Sequence, residues 1–558
     1  MERNCKRCSA SFEIHKDEEA FLEKICFAYG SSMLRPPHPV YCPDCRCKIR
    51  TCYRNESKMY KVKSAFSGKE IISIYHEKSP QGLPVQIYAQ DEWRSDSFDP
   101  MQYGRDFDFN RSFFEQFYEL QMAVPRMALI SIDNENSGFT TGTGYCKNCY
   151  LINSSEYCED CYYGKLLQKC SDCIDCSYLY DSELCYECFS VYESYGCQYV
   201  SFSRNCTECF FSSCLQSCQN CCLCTNLVNK QYHFMNEPLS KNEYEKRLGD
   251  FRGNYVMTEK MKKLSSDAMR GMVRKFANTV NCVDCSGDYI ENSKNCHDCY
   301  DVNDSEDCRY VQVGVNVKDN YDCSNMYLKP ELCYETLGTI EVYNCAYCLF
   351  IFHSKNMLYC DYCFSCSDCF ACSGLTRKQY CIFNKQYSKD EYDQLVVKIV
   401  THMKSSDEWG LYFPPQYAPF GYNESLAFEY FPLEKEAAIA QGLLWRDPDP
   451  RDFKTQTCRF SEAIDSVDDT ITQEVFACES CKKNYRIIPQ ELQFYRQQLV
   501  PPPRKCPDCR HGERMKLRNP RKLHLRSCDA CKKEMESTYA PDRTEKILCE
   551  ECYLKEVY

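Results

Sequence analysis

Glycine is scarce in this chain, with 20 in 558 residues, and the three tryptophans and nine histidines are scattered. The glycine-rich phosphate loops are missing: there is no Walker A sequence, no dinucleotide fingerprint and no nucleophile elbow. No histidine lies beside a cysteine or serine in a setting that would activate a nucleophile, so no enzyme is expected. No stretch approaches the ~20 apolar residues that span a bilayer, and the opening Met1-Glu2-Arg3-Asn4-Cys5 has no apolar signal region behind it. A non-exported, cytoplasmic protein without a membrane segment is expected. A net charge of -12 also argues against a protein that coats nucleic acid along its whole length.

Cysteine and tyrosine are abundant instead, at 48 and 44 residues. In a reducing compartment Cys-x-x-Cys pairs read as metal ligands or buried thiols before disulfides. Near the C-terminus four such pairs form two sets, Cys478/Cys481 with Cys506/Cys509 and Cys528/Cys531 with Cys549/Cys552. A two-residue spacer aims both sulfurs at one ion, and two pairs complete the tetrahedral shell of structural Zn²⁺ without an open position. The N-terminus repeats the plan with Cys5/Cys8 and Cys42/Cys45. Cys42-Pro43-Asp44-Cys45-Arg46 matches Cys506-Pro507-Asp508-Cys509-Arg510. Both intervals hold a helical stretch, near 17–25 and 489–498. Cys26, Cys47, Cys52 and His38 lie nearby as bystanders, since four thiolates already close the shell.

The segment after Cys45 keeps the frame of the last set but not its ligands. Ser64, Ser67, Ala89 and Glu92 stand where Cys528, Cys531, Cys549 and Cys552 stand at the other end. A metal-free unit packed through Ile71, Ile74, Tyr88 and Trp93 is predicted, so three zinc sites are expected rather than four.

Between the ends runs a twelve-residue period. Cys149, Cys161, Cys173, Cys185, Cys197, Cys209 and Cys221 fall at intervals of twelve, with a second column three residues earlier in which Ser182 and Ser194 fill two gaps. Tyr150, Tyr162, Tyr186 and Phe210 follow the main column. A short period without insertions predicts a β-solenoid, one rung per unit, with equivalent side chains ~4.8 Å apart. The thin interior is expected to take cysteine and serine and to exclude leucine and phenylalanine. A second array spans 282–381, with slippage near 286–295 and 324–332. Both arrays end in Ser-Lys-x-Glu-Tyr, where Ser240/Glu243 and Ser388/Glu391 read as helix capping boxes. Buried thiols, metal ligands and disulfides all remain open for the array cysteines; the serine gaps favour packing.

The fold class expected is therefore mainly β and multidomain, with treble-clef or ribbon-type zinc units flanking two solenoids with helical caps. The boundaries read 1–94 (ribbon pair, the second metal-free), 95–145 (helical connector), 146–229 (first solenoid), 230–281 (cap and connector), 282–381 (second solenoid), 382–457 (cap and aromatic, proline-bearing connector) and 458–558 (ribbon pair). Asp96, Asp99, Asp106 and Asp108 precede the helix of the first connector and read as helix-start charge.

The tail is basic, with 15 Lys and Arg against 5 Asp and Glu over 478–533. Arg514, Lys516, Arg518, Arg521, Lys522 and Arg526 form a candidate RNA- or ribosome-binding face. Cys42-Pro43-Asp44-Cys45-Arg46, Tyr103-Gly104-Arg105-Asp106, Asn229-Lys230-Gln231-Tyr232 and Arg518-Asn519-Pro520-Arg521-Lys522-Leu523 carry a resemblance over nearly the whole chain. The chain resembles uncharacterised cysteine-rich, multi-zinc-ribbon proteins of uncultured small-genome bacteria. That family sometimes bears a CoA-transferase label, for which these residues give no physical reason. The resemblance implies zinc and no established activity. The leading expectation is a non-enzymatic scaffold or adaptor with a protein partner and no small-molecule substrate. RNA or ribosome binding and metal storage by the solenoid thiols are the alternatives.

Overall fold

The computed structural model describes residues 1–449 and 453–558 and is rich in parallel sheet. From Ser131 to Arg204 seven short strands follow one another in chain order, all parallel. Lys165 pairs with Ser177 and Leu167 with Leu179, so each residue lies on the one twelve positions later. Single bridges at the same offset, such as Lys147 to Glu159 and Tyr150 to Tyr162, continue the pairing on other sides of the coil.

The backbone turns at every third residue. Tyr145, Asn148, Leu151 and Ser154 have φ of 54°, 54°, 52° and 50°, and Tyr157, Asp160, Tyr163 and Leu166 repeat them one unit later. Each twelve-residue unit is thus four sides of three residues joined at left-handed corners. The residue after each corner faces inward: Cys146, Cys149, Ile152 and Ser155 are all at most 1% exposed. Left-handed corners cost L-residues ~1 kcal/mol or more each. Interstrand hydrogen bonds offset this, joined by side-chain ladders at some corners: Asn344 donates to Asn356 at 3.0 Å, and Asn356 to Asp368 at 2.9 Å.

Interior thiols point at corner carbonyls. Cys158 Sγ donates toward Glu156 O and Leu167 O, each at 3.4 Å. Ser194 takes the same role with a stronger bond, donating to Tyr192 O at 2.8 Å and accepting from Cys206 N at 3.0 Å. Cysteine is therefore both apolar filler and weak donor here. The interior is not restricted to small residues as expected: Leu167, Leu179, Val191, Val200 and Leu215 share it with the thiols. Volume is traded within a turn. A Cβ on Gly164 would lie 2.4 Å from Leu167 Cδ1, so the glycine is what admits the leucine.

The second stack, Val283 to Ile382, has two register faults at the places where the period slips. Val283 pairs with Lys294, eleven residues on, whereas Asp288 pairs with Tyr300, twelve on; the break lies between Cys285 and Gly287. Gly287, with φ of 132°, is pressed against the next turn, where a Cβ would sit 1.8 Å from Cys299 O. Further on, Lys318 pairs with Glu331, thirteen away, and Leu328 and Lys329 both turn left-handed to absorb the extra residue.

Each stack ends under a helix. The Ser240/Glu243 and Ser388/Glu391 capping boxes form and start Lys241–Gly249 and Lys389–Ser405. The latter buries Tyr392, Val396, Ile399 and Met403. Ser112 caps Phe113–Ala123, whose Phe113 and Phe117 pack with Phe413 of the later aromatic connector in the largest core. Asp99 caps a short 3-10 turn and so acts locally, whereas Asp106 of the same connector reaches Lys385 beyond the second stack at 2.6 Å.

Gly287→Ala should lower unfolding stability toward the upper end of the usual ~0.5–3 kcal/mol range, because both φ and the Cys299 carbonyl oppose a side chain. The urea midpoint measures it, with Gly249→Ala, at an open helix end, as the control expected to change little.

Candidate metal centres

The twelve cysteines singled out by spacing gather into three groups of four: Cys5, Cys8, Cys42 and Cys45; Cys478, Cys481, Cys506 and Cys509; Cys528, Cys531, Cys549 and Cys552. In each group the sulfurs lie within 4.8 Å of one another. Among the described residues no interior thiols of the stacks form such a group. Cys26, Cys47 and Cys52 stay outside the first group, and Cys52 donates to Lys48 O at 3.1 Å.

Local backbone builds each centre from two pieces. The first pair sits on a tight turn: Cys478 N donates to Lys483 O at 3.0 Å, and Lys482 N returns to Cys478 O at 2.9 Å. The fourth residue after the leading cysteine is left-handed each time, at Ser9, Lys482 and Lys532 (φ 62°, 64°, 64°). The second pair opens a helix, with Cys42, Cys506 and Cys549 as N-caps and Pro43 and Pro507 at the first helical position. Across the two pieces, Cys8 and Cys42, Cys481 and Cys506, and Cys531 and Cys549 are each 3.6 Å apart, Sγ to Sγ. A tetrahedron with ~2.3 Å metal–sulfur bonds has edges of about 3.8 Å, so the donor set fits a four-coordinate ion.

One thiol of each group is biased toward the charged form, while neighbours such as Cys506, pushed up to about 11 chiefly by burial, hold their protons. Burial opposes ionisation of Cys478, but backbone N–H groups of Cys481, Cys506 and Ser480 outweigh it and lower the thiol to about 6. Cys528 is lowered to about 6 in the same way, against burial, by the N–H groups of Cys549, Cys531 and Ala530. In the first centre a hydrogen bond from Cys45 leads in lowering Cys42 to about 5.

The fourth unit keeps this backbone without the sulfurs. Ser64 N donates to Lys69 O at 2.8 Å, Gly68 takes the left-handed position, and Ser64 Oγ bonds the Glu92 carboxylate, which also accepts from Ala89 N at 2.9 Å. A serine–glutamate pair ties the two pieces where cysteines tie them elsewhere.

The helix that begins at each Cys-Pro-Asp-Cys motif carries two buried arginines, four residues apart, onto a stack. Arg46 and Arg50 of Pro43–Thr51 meet Asp322 at 3.0 Å and Glu335 at 2.7 Å, in the second stack. Arg510 and Arg514 of Pro507–Met515 meet Asp175 at 2.8 Å and Glu187 at 3.1 Å, in the first. The surroundings match as well. Arg46 lies 5.5 Å over Tyr310 and Arg510 lies 5.4 Å over Tyr163. Phe21 is 6.1 Å from Tyr334, and Phe494 is 6.2 Å from Tyr186. The same docking occurs twice, crossed along the chain: the N-terminal unit sits on the second stack and the C-terminal unit on the first. A third buried contact joins them. Lys165 of the first stack holds Glu56 at 2.9 Å and Glu429 at 2.7 Å.

The candidate RNA-binding face is redistributed by this docking. Arg514 is spent on Asp175 and Glu187; Arg518 and Arg521 both grip Asp301, at 2.5 and 2.6 Å, and Arg521 also donates to Gln312 at 2.9 Å. Arg526 is largely covered beside Asp529, and only Lys516 and Lys522 of the six are exposed. Within this basic stretch Arg510, Arg514, Arg518 and Arg521 neutralise acidic corners of the stacks, while Lys482, Arg486, Lys516, Lys522, Lys532 and Lys533 stay exposed. Sequence reasoning noted Arg46 and Arg510 within the shared motif but missed Arg50. It gave Arg514 to a surface. The signal was the repeated spacing of four between the two arginines, which puts both on one helix face.

No protein-family model matches this chain, and no curated protein matches it.

Asp175→Asn takes from the buried Arg510 its carboxylate partner and should cost about 3–5 kcal/mol in urea denaturation, whereas Asp322→Asn leaves Arg46 its pairing with Glu18 at 3.1 Å and should cost less. The Glu56 carboxyl gives a pH signature. Burial alone would raise it, but Lys165 and Arg54 draw it down to about 2. Its contribution is complete above its ordinary value of 4.5 and is lost as pH falls toward 2, because the unfolded chain then binds the proton more readily. Glu56→Gln should be less stable than the parent at pH 7 and show a shallower loss of stability between pH 4.5 and 2.

Proposed function

We propose that this protein is a zinc-dependent, non-enzymatic scaffold of the cytoplasm, in which two β-solenoids form a rigid body and terminal zinc ribbons lock it. Supporting this is the crossed docking: the Cys₄ centres completed by Cys42/Cys45 and by Cys506/Cys509 each fix the start of a helix whose arginines bind the distant solenoid. Cys5, Cys8, Cys42 and Cys45 would hold one Zn²⁺; Cys478, Cys481, Cys506 and Cys509 a second; Cys528, Cys531, Cys549 and Cys552 a third. Four thiolates leave no position for a substrate or water, so the ion's contribution is folding energy. The stable outer faces of such a body suit a protein partner. The two alternatives draw on groups engaged elsewhere: RNA binding on arginines paired with Asp175, Glu187 and Asp301, and metal storage on thiols that bond backbone carbonyls.

Elemental analysis of native protein should give three zinc per chain, two in Cys478→Ser, and three in Ser64→Ala. Chelation should speed amide exchange in Pro507–Met515 and in the Asp175 region together. Zinc well above three per chain would return the storage reading, and exchange unchanged by chelation would remove the metal-locked one.

A further inference from the structure

The two copies of the internal duplication differ in charge around one buried arginine. Arg126 and Arg274 occupy equivalent positions, each opening a two-residue strand that runs parallel to a terminal unit, Arg126 opposite Ile87 and Arg274 opposite Ile547. Arg126 is neutralised by Asp361 at 2.5 Å and lies 5.9 Å over the rings of Tyr75 and Tyr362. The stack ends Leu227-Val228-Asn229-Lys230-Gln231-Tyr232 and Leu375-Thr376-Arg377-Lys378-Gln379-Tyr380 set the offset between copies at 148 residues. Ser213 and Cys214 therefore stand where Asp361 and Tyr362 stand.

Arg274 has lost its carboxylate and gained empty space. It donates to Met269 O at 3.1 Å, its buried Nε has no partner, and it forms no ion pair among the described residues. The nearby carboxylates have cations of their own: Glu291 pairs with Arg204 at 2.7 Å, Glu550 with Lys275 at 2.6 Å, and Glu545 with Arg543. Around Arg274 opens a cavity of about 440 Å³ between both stacks and the last cysteine unit. In the other copy, Phe364, Tyr362 and Trp93 belong to or pack on one continuous core; their counterparts here are Gln216, Cys214 and Tyr553, which line the cavity. The rest of the wall mixes polar side chains, among them the ion pairs of Arg204 with Glu291 and Lys275 with Glu550, with the rings of Tyr192, Phe202 and Tyr539, and Phe202 lies nearly parallel to Tyr289 (27°, centroids 6.4 Å apart). The volume is within the ~300–1,000 Å³ of small-ligand sites, and an unpaired guanidinium beside ring faces selects an oxyanion joined to a planar ring.

We propose that this cavity binds a small ring-bearing oxyanion of nucleoside monophosphate size, with Arg274 on the anion and the aromatic wall on the ring. The site goes beyond the metal centres' role as locks, and it rests on the last of them for the wall supplied by the helix that starts at Cys549.

Titration calorimetry of the zinc-loaded full chain with AMP tests it, with adenosine and inorganic phosphate as separate arms. Saturable AMP binding is expected, at least tenfold tighter than either arm. Arg274→Met should weaken AMP at least tenfold. Ser213→Asp with Cys214→Tyr, which restores the residues of the other copy, should do the same while keeping the thermal unfolding transition at or above the parent's. No saturable AMP binding, adenosine binding as tight as AMP, or unchanged affinity in the folded double variant would each overturn the proposal.

Discussion

Everything in this molecule hangs on guanidinium groups carried out of water into acidic notches of the stacks. A buried charge is tolerated only where its partner is already in place, and geometry must supply that partner without search. The Cys₄ centres accomplish this by fixing the first turn of a short helix. Arg46 with Arg50, and Arg510 with Arg514, then project from one face with the spacing of the carboxylates on consecutive turns of a stack. Without the ordered cysteines, a nine-residue helix is too short to persist by itself.

The stacks supply the complementary half. Their four-cornered turns bring acidic residues twelve or thirteen apart in sequence onto neighbouring turns, as Asp175 and Glu187 or Asp322 and Glu335. The thirteen-residue spacing in the second stack comes from the inserted residue near Leu328 and Lys329, and the docking geometry survives it. Inside, cysteine suits a narrow bore because a thiol is compact, largely apolar, and can still face a carbonyl.

Much of this was legible in local spacing. The three ligand sets, the ligand-free frame at Ser64 and Glu92, both capping boxes and both register faults each depend on residues close in sequence, where pattern and geometry coincide. The exclusion of leucine from the interior failed because it treated each side chain alone, whereas Gly164 yields its volume to Leu167. The pairing of most arginines of the basic face was illegible for a different reason. Charge along the chain does not say which arginines meet a carboxylate 339 residues away, as Arg514 meets Asp175, and burial is decided by that encounter. The pairing of each terminal unit with the distant stack was invisible for the same reason.

The crossed docking also fixes an order of events during synthesis. The first cysteine unit is complete by Cys45, yet Arg50 cannot find Glu335 until 285 more residues have been made. At ~5–20 residues per second that wait is roughly 15 to 60 s. Through that interval the first cysteine unit, with two unpaired arginines, must stay soluble while the first stack winds beside it. That stack in turn holds Asp175 and Glu187 open for a helix that emerges more than 300 residues later. The chain therefore closes as a clasp, its two ends latching only after both halves exist, and a truncated product carries open acidic notches that mark it as unfinished.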